Sequence, residues 1–371
     1  MLDFLETWTD MKITSFRAAL VEVPDEDLVA IAETRQACTR PIVALQLHTD
    51  AGVAGIGIGF SVGGMHGALL SAVEEFAELI VGEDPQRIHA LRHKITRHAG
   101  TMAHAGIFCT ALCAIDLALW DIAGKAANLP LWKLLGGFRQ RVPTYSSGPL
   151  HRNITTAAGV KAAQAVKEQG FRYVKINLAL EGEFAPNREL ERARAVREAL
   201  GPDIQLMADI NDRWTVGQAV EMAHRLEEVG LFCIEDPVRH SDYDGMAHVT
   251  ASTHTQIMSG ESVWGVAPFR EMFARRSVDI CMIDVMHVGG ITAWMEVAAM
   301  ARAHGLPVVS HIMPEFQAQL VAAVPNGLLA EYKAWTWRLF DGAPVFEQGD
   351  FVLSDRPGHG LEFSAEFKQQ L

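Results

Sequence analysis

Clustered positive charge is scarce in this 371-residue sequence. Lys and Arg together number 32 against 45 Asp and Glu, which gives a formal net charge of -13 at pH 7. A nucleic-acid surface needs Lys and Arg grouped on one face to neutralise phosphates. The composition therefore argues against nucleic acid as a partner.

Cysteine is also sparse, and the five cysteines show no CxxC spacing. Their scatter through apolar segments excludes the usual zinc and dithiol motifs and suits a reducing cytoplasm.

The first residues, MLDFLETWTDMK, carry three acids and no basic start before an apolar run, so we expect no signal peptide. No uninterrupted apolar stretch reaches the roughly 18 residues that cross a bilayer, so we expect a cytoplasmic protein without a membrane partner.

Apolar residues, by contrast, make up 49% of the chain, which is ample for a core. In the first third, ITSFRAALVEV and RPIVALQLHTDAGVAGIGIGF predict antiparallel strands. Helical patterns follow at about residues 66–80 and 85–99 and from residue 106. This segment therefore predicts a small α+β domain.

From about residue 142, short apolar strands alternate with amphipathic helices. The predicted strands are VPTYSS, YVKIN, QLMADIN, LFCIED, QIMSGES, ICMID, PVVSHI and GLLAEY. Eight strand–helix units predict a closed (β/α)8, TIM-like barrel of class α/β. We assign residues 141–344 to the barrel and 1–140 to an N-terminal α+β capping domain, which residues 345–371 complete by packing back on it.

Polar or ionisable side chains stand at the ends of seven consecutive predicted strands. They are Lys175, Asn177, Asp209, Asn211, Glu235, Glu261, Asp284, His311 and Glu331. The carboxyl-terminal rim is where barrels of this type carry their active sites, because its loops vary while the layers below stay packed. We therefore expect these side chains to converge on one site.

Three of these residues are acids from adjacent strands, namely Asp209, Glu235 and Glu261. Converging carboxylates repel one another in a partly dry site unless a cation holds them. Three hard oxygen donors suit Mg2+, which keeps positions open for water or substrate oxygens. The sequence thus predicts a magnesium site.

Asp284 and His311 end the next two strands. A carboxylate that accepts a hydrogen bond from one imidazole nitrogen fixes the tautomer and raises the basicity of the other nitrogen. We interpret this pair as a general base facing the metal.

These residues and their surroundings resemble the enolase superfamily, and within it the mandelate racemase subgroup. The matching segments occur in order along nearly the whole chain: ALWDIAGKAANLPLWKLLGG, ADIN, IEDP, SGES, DVMHVGGITAW, VSHIMPE and GLLAEY. The resemblance implies abstraction of the proton α to a carboxylate, with Mg2+ and hydrogen-bond donors stabilising the enediolate. It also implies a small-molecule carboxylate substrate and a symmetric homo-oligomer, an octamer or smaller.

The resemblance assigns roles to individual residues. Asp209, Glu235 and Glu261 match the metal ligands, and His311 with Asp284 matches the base. Glu331 matches the acid that hydrogen-bonds the substrate carboxylate, Asn211 a contact to the α-hydroxyl, and Lys175 the first lysine of the family's KxK motif.

Asn177 departs from the pattern, because it stands where the family has a second lysine. An amide is not a base at neutral pH, so two-base racemisation loses one of its bases. β-Elimination of water needs only one base and would convert a sugar acid to a 2-keto-3-deoxy acid, with Asn177 binding a substrate hydroxyl. Racemisation with Lys175 as the second base, cycloisomerisation, a non-catalytic metal- and acid-binding relative, and a metal-dependent aldolase or phosphatase remain alternatives.

We expect substrate selectivity to come from two cap-domain loops over the barrel mouth, at about residues 24–39 and 60–67. They carry polar side chains suited to a sugar acid: Arg35, Gln36, Arg40, Ser61 and His66.

Overall fold

The computed structural model describes residues 11–24 and 39–371. Cap-loop residues Arg35 and Gln36 lie outside the described part of the chain. The N-terminal region contains a three-stranded antiparallel sheet followed by helices. Its elements are β1 (Ile13–Pro24), β2 (Thr39–Thr49), β3 (Ala54–Gly59), α1 (His66–Ile80), α2 (Ile88–Ala99), α3 (Ile107–Ala126) and α4 (Leu131–Leu134).

Eight parallel strands follow within residues 141–332, and the pairing of the last with the first closes them into a barrel. The strands are β4 (Arg141–Leu150), β5 (Tyr173–Asn177), β6 (Gln205–Asp209), β7 (Cys233–Glu235), β8 (Gln256–Ser259), β9 (Ile280–Ile283), β10 (Val308–Ser310) and β11 (Gly327–Tyr332). The predicted fold class is therefore confirmed.

Helices connect these strands. They are α5 (Thr156–Glu168), α6 (Pro186–Leu200), α7 (Val216–Leu226), α8 (Tyr243–Ser252), α9 (Ala267–Ala274), α10 (Val285–Val288), α11 (Ile291–Ala303) and α12 (Pro314–Ala323). Local sequence marks their ends. Thr215, for example, forms a capping box with Gln218 at the start of α7, and Gly201 follows α6 with a φ of 79°.

The C-terminal segment contacts both parts of the molecule. It contains β12 (Phe340–Asp341), β13 (Val345–Glu347), β14 (Asp350–Val352), β15 (Glu362–Phe363) and α13 (Ala365–Lys368). Strand β14 pairs antiparallel with β4 of the barrel. Further along, the His359 amide donates to Asp121 of α3, and the Leu131 amide of α4 donates to the Gly358 carbonyl.

Helix α3 is the central packing element of the N-terminal region. It is long and apolar enough to cross a membrane, but 78% of its apolar window is buried inside the protein. Its Asp116 accepts from Arg92 of α2 and from the Thr292 amide and hydroxyl of α11. This buried carboxylate therefore ties the N-terminal helices to the barrel.

Strand β3 packs so closely on α3 that Gly55 and Gly57 have no room for a side chain. A Cβ at Gly57 would lie 1.9 Å from the Ala114 carbonyl oxygen, and one at Gly55 would lie 2.1 Å from that of Ala118. The alternate residues Ile56 and Ile58 are fully buried on the other face of the strand. Glycine at these positions is required by backbone-to-backbone contact.

We predict that Gly57→Ala lowers the free energy of unfolding by roughly 1–3 kcal/mol, because the strand must move away from α3. Gly217→Ala is the matched control, since a Cβ at this exposed position of α7 would meet nothing within 4 Å. The control should be neutral or slightly stabilising. Urea denaturation measures both, and equal midpoints for the two variants would contradict this account of β3.

Candidate active site

The structure brings the nine predicted residues to the carboxyl-terminal rim of the barrel. Neighbouring strands are in register there, with Asn177 opposite Asp209 and Asp209 opposite Glu235. Below them, a separate layer of buried side chains fills the barrel interior. This layer consists of Tyr145, Met207, Cys233, Met258, Ile280, Met282, Val309 and Leu329.

Lys175 is the central cation of the site. Its Nζ lies 2.9 Å from each carboxylate oxygen of Glu235, 3.8 Å from Asp209 Oδ2 and 3.5 Å from Glu331 Oε1. The ammonium also sits 5.2 Å above the centre of the Tyr145 ring, a cation–π contact. Burial alone would lower the pKa of Lys175, but Glu235 and the other anions raise it well above its usual value.

The predicted metal-binding acids influence one another's ionisation. Burial raises the pKa of Glu235 well above its usual range; Lys175 opposes that shift, and Asp209 and Glu261 add to it. The pKa of Asp209 is raised in the same way. Burial would also raise the pKa of Glu261, but His311 and Lys175 hold it below its usual value. The three carboxylates thus repel one another, and a further cation between them would reduce that repulsion.

Among the described residues, no group of three or more Asp, Glu, His or Cys side chains is arranged so that it could hold a metal ion. Each acid is engaged elsewhere: Glu235 with Lys175, Asp209 with the Asn177 and Asn211 amides, and Glu261 with His311. The three carboxylates still fit a hard divalent cation as ligands, because their oxygens come from the ends of adjacent strands. Their negative charge also exceeds the positive charge of the side chains around them.

Asp284 and His311 form the carboxylate–imidazole pair. His311 Nδ1 lies 2.7 Å from Asp284 Oδ2, and the other oxygen of Asp284 accepts from the amides of Met286 and His287 at the start of α10. These bonds fix the carboxylate, which in turn fixes the ring. His311 Nε2 faces the acid cluster, 3.2 Å from Glu261 Oε2.

The ionisation of His311 follows from these neighbours. Burial by itself would lower its pKa, but Glu261 and the bond to Asp284 raise the pKa to about 9. Burial would raise the pKa of Asp284, whereas His287 and His311 lower it. Without another cation, the imidazole is therefore held as an imidazolium paired with two carboxylates.

Backbone geometry directs His311 and Glu331 toward the site. Ile312 and Met313, directly after His311, have left-handed φ values of 45° and 44°. Gln317 of α12 holds this turn by donating to the carbonyls of His311 and Ile312. The Ile312 amide donates to Glu331, whose pKa is lowered to about 2 by Lys175 and His311 against the effect of burial.

The two asparagines surround Asp209. Asn177 Nδ2 and Asn211 Nδ2 each lie 2.9 Å from Asp209 Oδ2. The backbone N–H of Asn211 donates to Asp209 Oδ1. Arg152, from the loop after β4, donates to Asn211 Oδ1. Arg152 was not predicted from the sequence, because a single arginine in a loop carries no periodic or motif signal.

The N-terminal region meets the barrel mouth at Trp335, just after β11. Phe60 packs edge-to-face on Trp335 with ring centres 4.8 Å apart, and Arg40 lies 5.2 Å from the centre of the same ring. Ser61 and His66 bond within their own loop, to each other and to the carbonyls of Gly64 and Gly63.

Two family models match the chain in order. One, described as mandelate racemase / muconate lactonizing enzyme, N-terminal domain, matches residues 18–136. The other, described as enolase C-terminal domain-like, matches residues 158–367.

Relatives of known activity match over most of their length. L-talarate/galactarate dehydratase of Salmonella typhimurium is 29% identical over 332 residues, which span 88% of this chain and 82% of that protein. Its crystal structure superposes with a TM-score of 0.91 at 26% identity, covering 98% of this chain and 93% of the other. L-Talarate dehydratase from Polaromonas sp., solved with Mg and L-glucarate, gives a TM-score of 0.89 at 28% identity over 97% of each chain.

Another relative carries out a different reaction. The 3,6-anhydro-alpha-L-galactonate cycloisomerase of Streptomyces coelicolor is 28% identical over 330 residues, which span 88% of this chain and 90% of that protein. Overall similarity at this level therefore does not separate elimination from cycloisomerisation.

We predict that the titration of His311 makes the free energy of unfolding depend on pH. Its folded pKa of about 9 lies above its ordinary value of 6.5, so the imidazolium stabilises the fold fully below pH 6.5 and loses this effect as the pH rises through 9. In metal-free buffer, the stability of the wild type relative to His311→Asn should fall by up to ~3 kcal/mol across that window.

Urea denaturation at several pH values measures this difference. His359→Asn is the matched control, because burial lowers the pKa of this histidine and moves its titration to more acidic pH. The control should show the wild-type slope between pH 6.5 and 9. A wild-type slope in His311→Asn as well would contradict the assigned imidazolium.

Proposed function

Because this chain belongs to the enolase superfamily, in its mandelate racemase and muconate lactonizing enzyme branch, we propose that it is a magnesium-dependent sugar-acid dehydratase, a carbon–oxygen lyase. The observation that carries the proposal is a single well-formed base, His311 with Asp284, opposite an acid cluster in which the second lysine of the family motif is replaced by Asn177. Dehydratases among the relatives support the same reaction class.

Asp209, Glu235 and Glu261 would hold Mg2+. When bound, Mg2+ polarises the substrate carboxylate and stabilises the negative charge that develops on it. Glu331 lies beside Lys175 and His311 and is the acid we assign to hydrogen bonding with the substrate carboxylate. Asn211 is assigned to the α-hydroxyl.

With the charge of Glu261 balanced by a bound cation, His311 would be a neutral imidazole and would perform both proton transfers. Its Nε2 removes the proton α to the carboxylate, and the electron pair of that C–H bond enters the enediolate. These electrons then form the α,β double bond as the β-carbon–oxygen bond breaks, and His311 returns the proton to the departing hydroxyl as water. The resulting enol tautomerises to a 2-keto-3-deoxy acid.

Lys175 and Asn177 make a two-base reaction unfavourable. Lys175 bonds both oxygens of Glu235, and its raised pKa opposes the neutral amine that a base requires. Asn177 has no basic nitrogen. Lys175 instead supplies positive charge between Glu235 and Glu331 beneath the substrate carboxylate.

The proposed setting is a reducing compartment. The described cysteines, Cys109, Cys113, Cys233 and Cys281, are all free and buried. We propose a cytoplasmic enzyme of sugar-acid catabolism that assembles as a homo-oligomer.

We predict turnover on a stereochemically defined panel of aldonic and aldaric acids with Mg2+ present, assayed as 2-keto-3-deoxy acid. Chelation with EDTA should abolish it, and added Mg2+ should restore it. A complete panel without this product, together with racemisation of a 2-hydroxy acid or closure of an anhydro-sugar acid, would replace dehydration by one of the isomerase alternatives.

We predict that His311→Asn lowers the rate at which the substrate α-proton exchanges with solvent deuterium by about 10²–10⁴-fold. NMR of the recovered substrate measures the exchange. Asn177→Lys is the informative companion, because it restores the family's second lysine without changing His311. Undiminished exchange in His311→Asn would transfer the role of base to Lys175.

A further inference from the structure

Arg152 contacts the candidate site through Asn211, although none of the family motifs in the sequence includes it. We propose that Arg152 is a positioning residue that orients the amides of Asn211 and Asn177 around Asp209. It thereby prepares Asp209 for metal binding and supports the orientation in which Asn177 presents its oxygen to the substrate. This inference rests on the proposed metal-binding role of Asp209.

The Arg152 side chain connects loops that are far apart in sequence. It is only 5% exposed, and its Nη1 donates to the carbonyls of Ala179, at 3.1 Å, and Ile210, at 3.4 Å. Its Nη2 donates to the side-chain oxygen of Asn211. One guanidinium thus joins the loops that follow β4, β5 and β6.

The loops that Arg152 joins contain backbone conformations that need support. Ala179, Asn211 and Asp212 have φ values of 55°, 51° and 62°, in the left-handed region that residues with side chains rarely adopt. Arg152 binds the carbonyl of the first of these residues and the carbonyl of Ile210, directly before the other two. It therefore holds the backbone that carries Asn211.

Hydrogen-bond chemistry then determines the direction of both amides. A guanidinium has only donors, so the atom of Asn211 that faces Arg152 must be oxygen, and its NH2 group must face Asp209. The Asp209 carboxylate only accepts, so Asn177 must also turn its NH2 group inward; its Nδ2 lies 3.4 Å from Asn211 Oδ1 as well.

The orientation of the Asn177 amide determines what this residue can offer to the substrate. With both N–H bonds of Asn177 directed at Asp209 and Asn211, its Oδ1 has no hydrogen-bond partner among the described residues. Asn177 therefore offers an acceptor for a substrate hydroxyl, whereas a lysine at this position would offer only donors. Arg152 supports this arrangement, because it fixes the position of Asn211 Oδ1, which also accepts from Asn177.

Another clamping arginine helps to separate positioning from plain stabilisation. Arg197 donates to the backbone carbonyls of Val229, Gly201, Ile204 and Gly230, which belong to loops that enter β6 and β7 at the opposite end of the barrel. Unlike Asn211, which accepts from Arg152, none of these four residues contacts Asp209 in the part of the chain that the structure describes. Arg197→Lys therefore serves as the matched control for Arg152→Lys.

The test is Mn2+ binding, measured by electron paramagnetic resonance on the full chain without substrate. Arg152→Lys should weaken Mn2+ binding by roughly 10–100-fold, as expected when a partner of a ligand is lost. Arg197→Lys should bind Mn2+ as the wild type does, even if thermal unfolding shows lower stability. Equal affinity in the wild type and Arg152→Lys, or equal losses in the two variants, would overturn the inference.

A double-mutant cycle identifies the path of the effect. Asn211→Gly keeps the left-handed backbone while removing the amide, so it should weaken Mn2+ binding by itself, whether or not Arg152→Lys folds. In the Asn211→Gly background, Arg152→Lys should weaken Mn2+ binding less than it does in the wild type. Full additivity, or unchanged binding in Asn211→Gly, would overturn the inference. A wild type that binds no Mn2+ would instead reject the proposed function.

Discussion

The structure depends on balancing buried negative charge at one rim of the barrel. Asp209, Glu235 and Glu261 end adjacent strands, and each is paired with a donor or cation of the protein. Two like charges about 4 Å apart repel by roughly 4 kcal/mol at the effective dielectric typical of protein sites, so the cluster requires compensation. Lys175 and His311 supply it within the chain. The same unfavourable charge makes the site receptive to a divalent cation, and it raises the basicity of His311.

The rest of the fold serves to hold these groups in place. Strands as short as Cys233–Glu235 are sufficient, because the barrel is closed and its interior is lined by a cluster of buried side chains. Gln317 stabilises the strained turn after His311, and α10 begins on the Asp284 carboxylate, so both members of the base are fixed by backbone contacts. The close contact of β3 with α3, and of α3 with the barrel, extends the same rigid framework into the N-terminal region.

Sequence alone predicted the barrel because its signals are local: apolar strands, amphipathic helices, and polar residues where strands end. The convergence of Asp209, Glu235 and His311 followed from strand order in a closed barrel. The pairing of Lys175 with Glu235 did not follow, since it depends on side-chain conformation across neighbouring strands. Arg152 was invisible for another reason, because its acceptors come from two other loops distant in sequence. Chemistry that depends on loop geometry is therefore seen only in the folded chain.

The central claim is that the three rim acids bind a divalent cation opposite His311. A crystal structure of the protein grown with Mn2+, with an anomalous difference map collected near the manganese edge, tests it most directly. The account predicts one strong peak within coordination distance of Asp209, Glu235 and Glu261, with His311 facing it and Glu235 released from at least one of its bonds to Lys175. A peak elsewhere, or none at these acids while Lys175 keeps both bonds to Glu235, would contradict it.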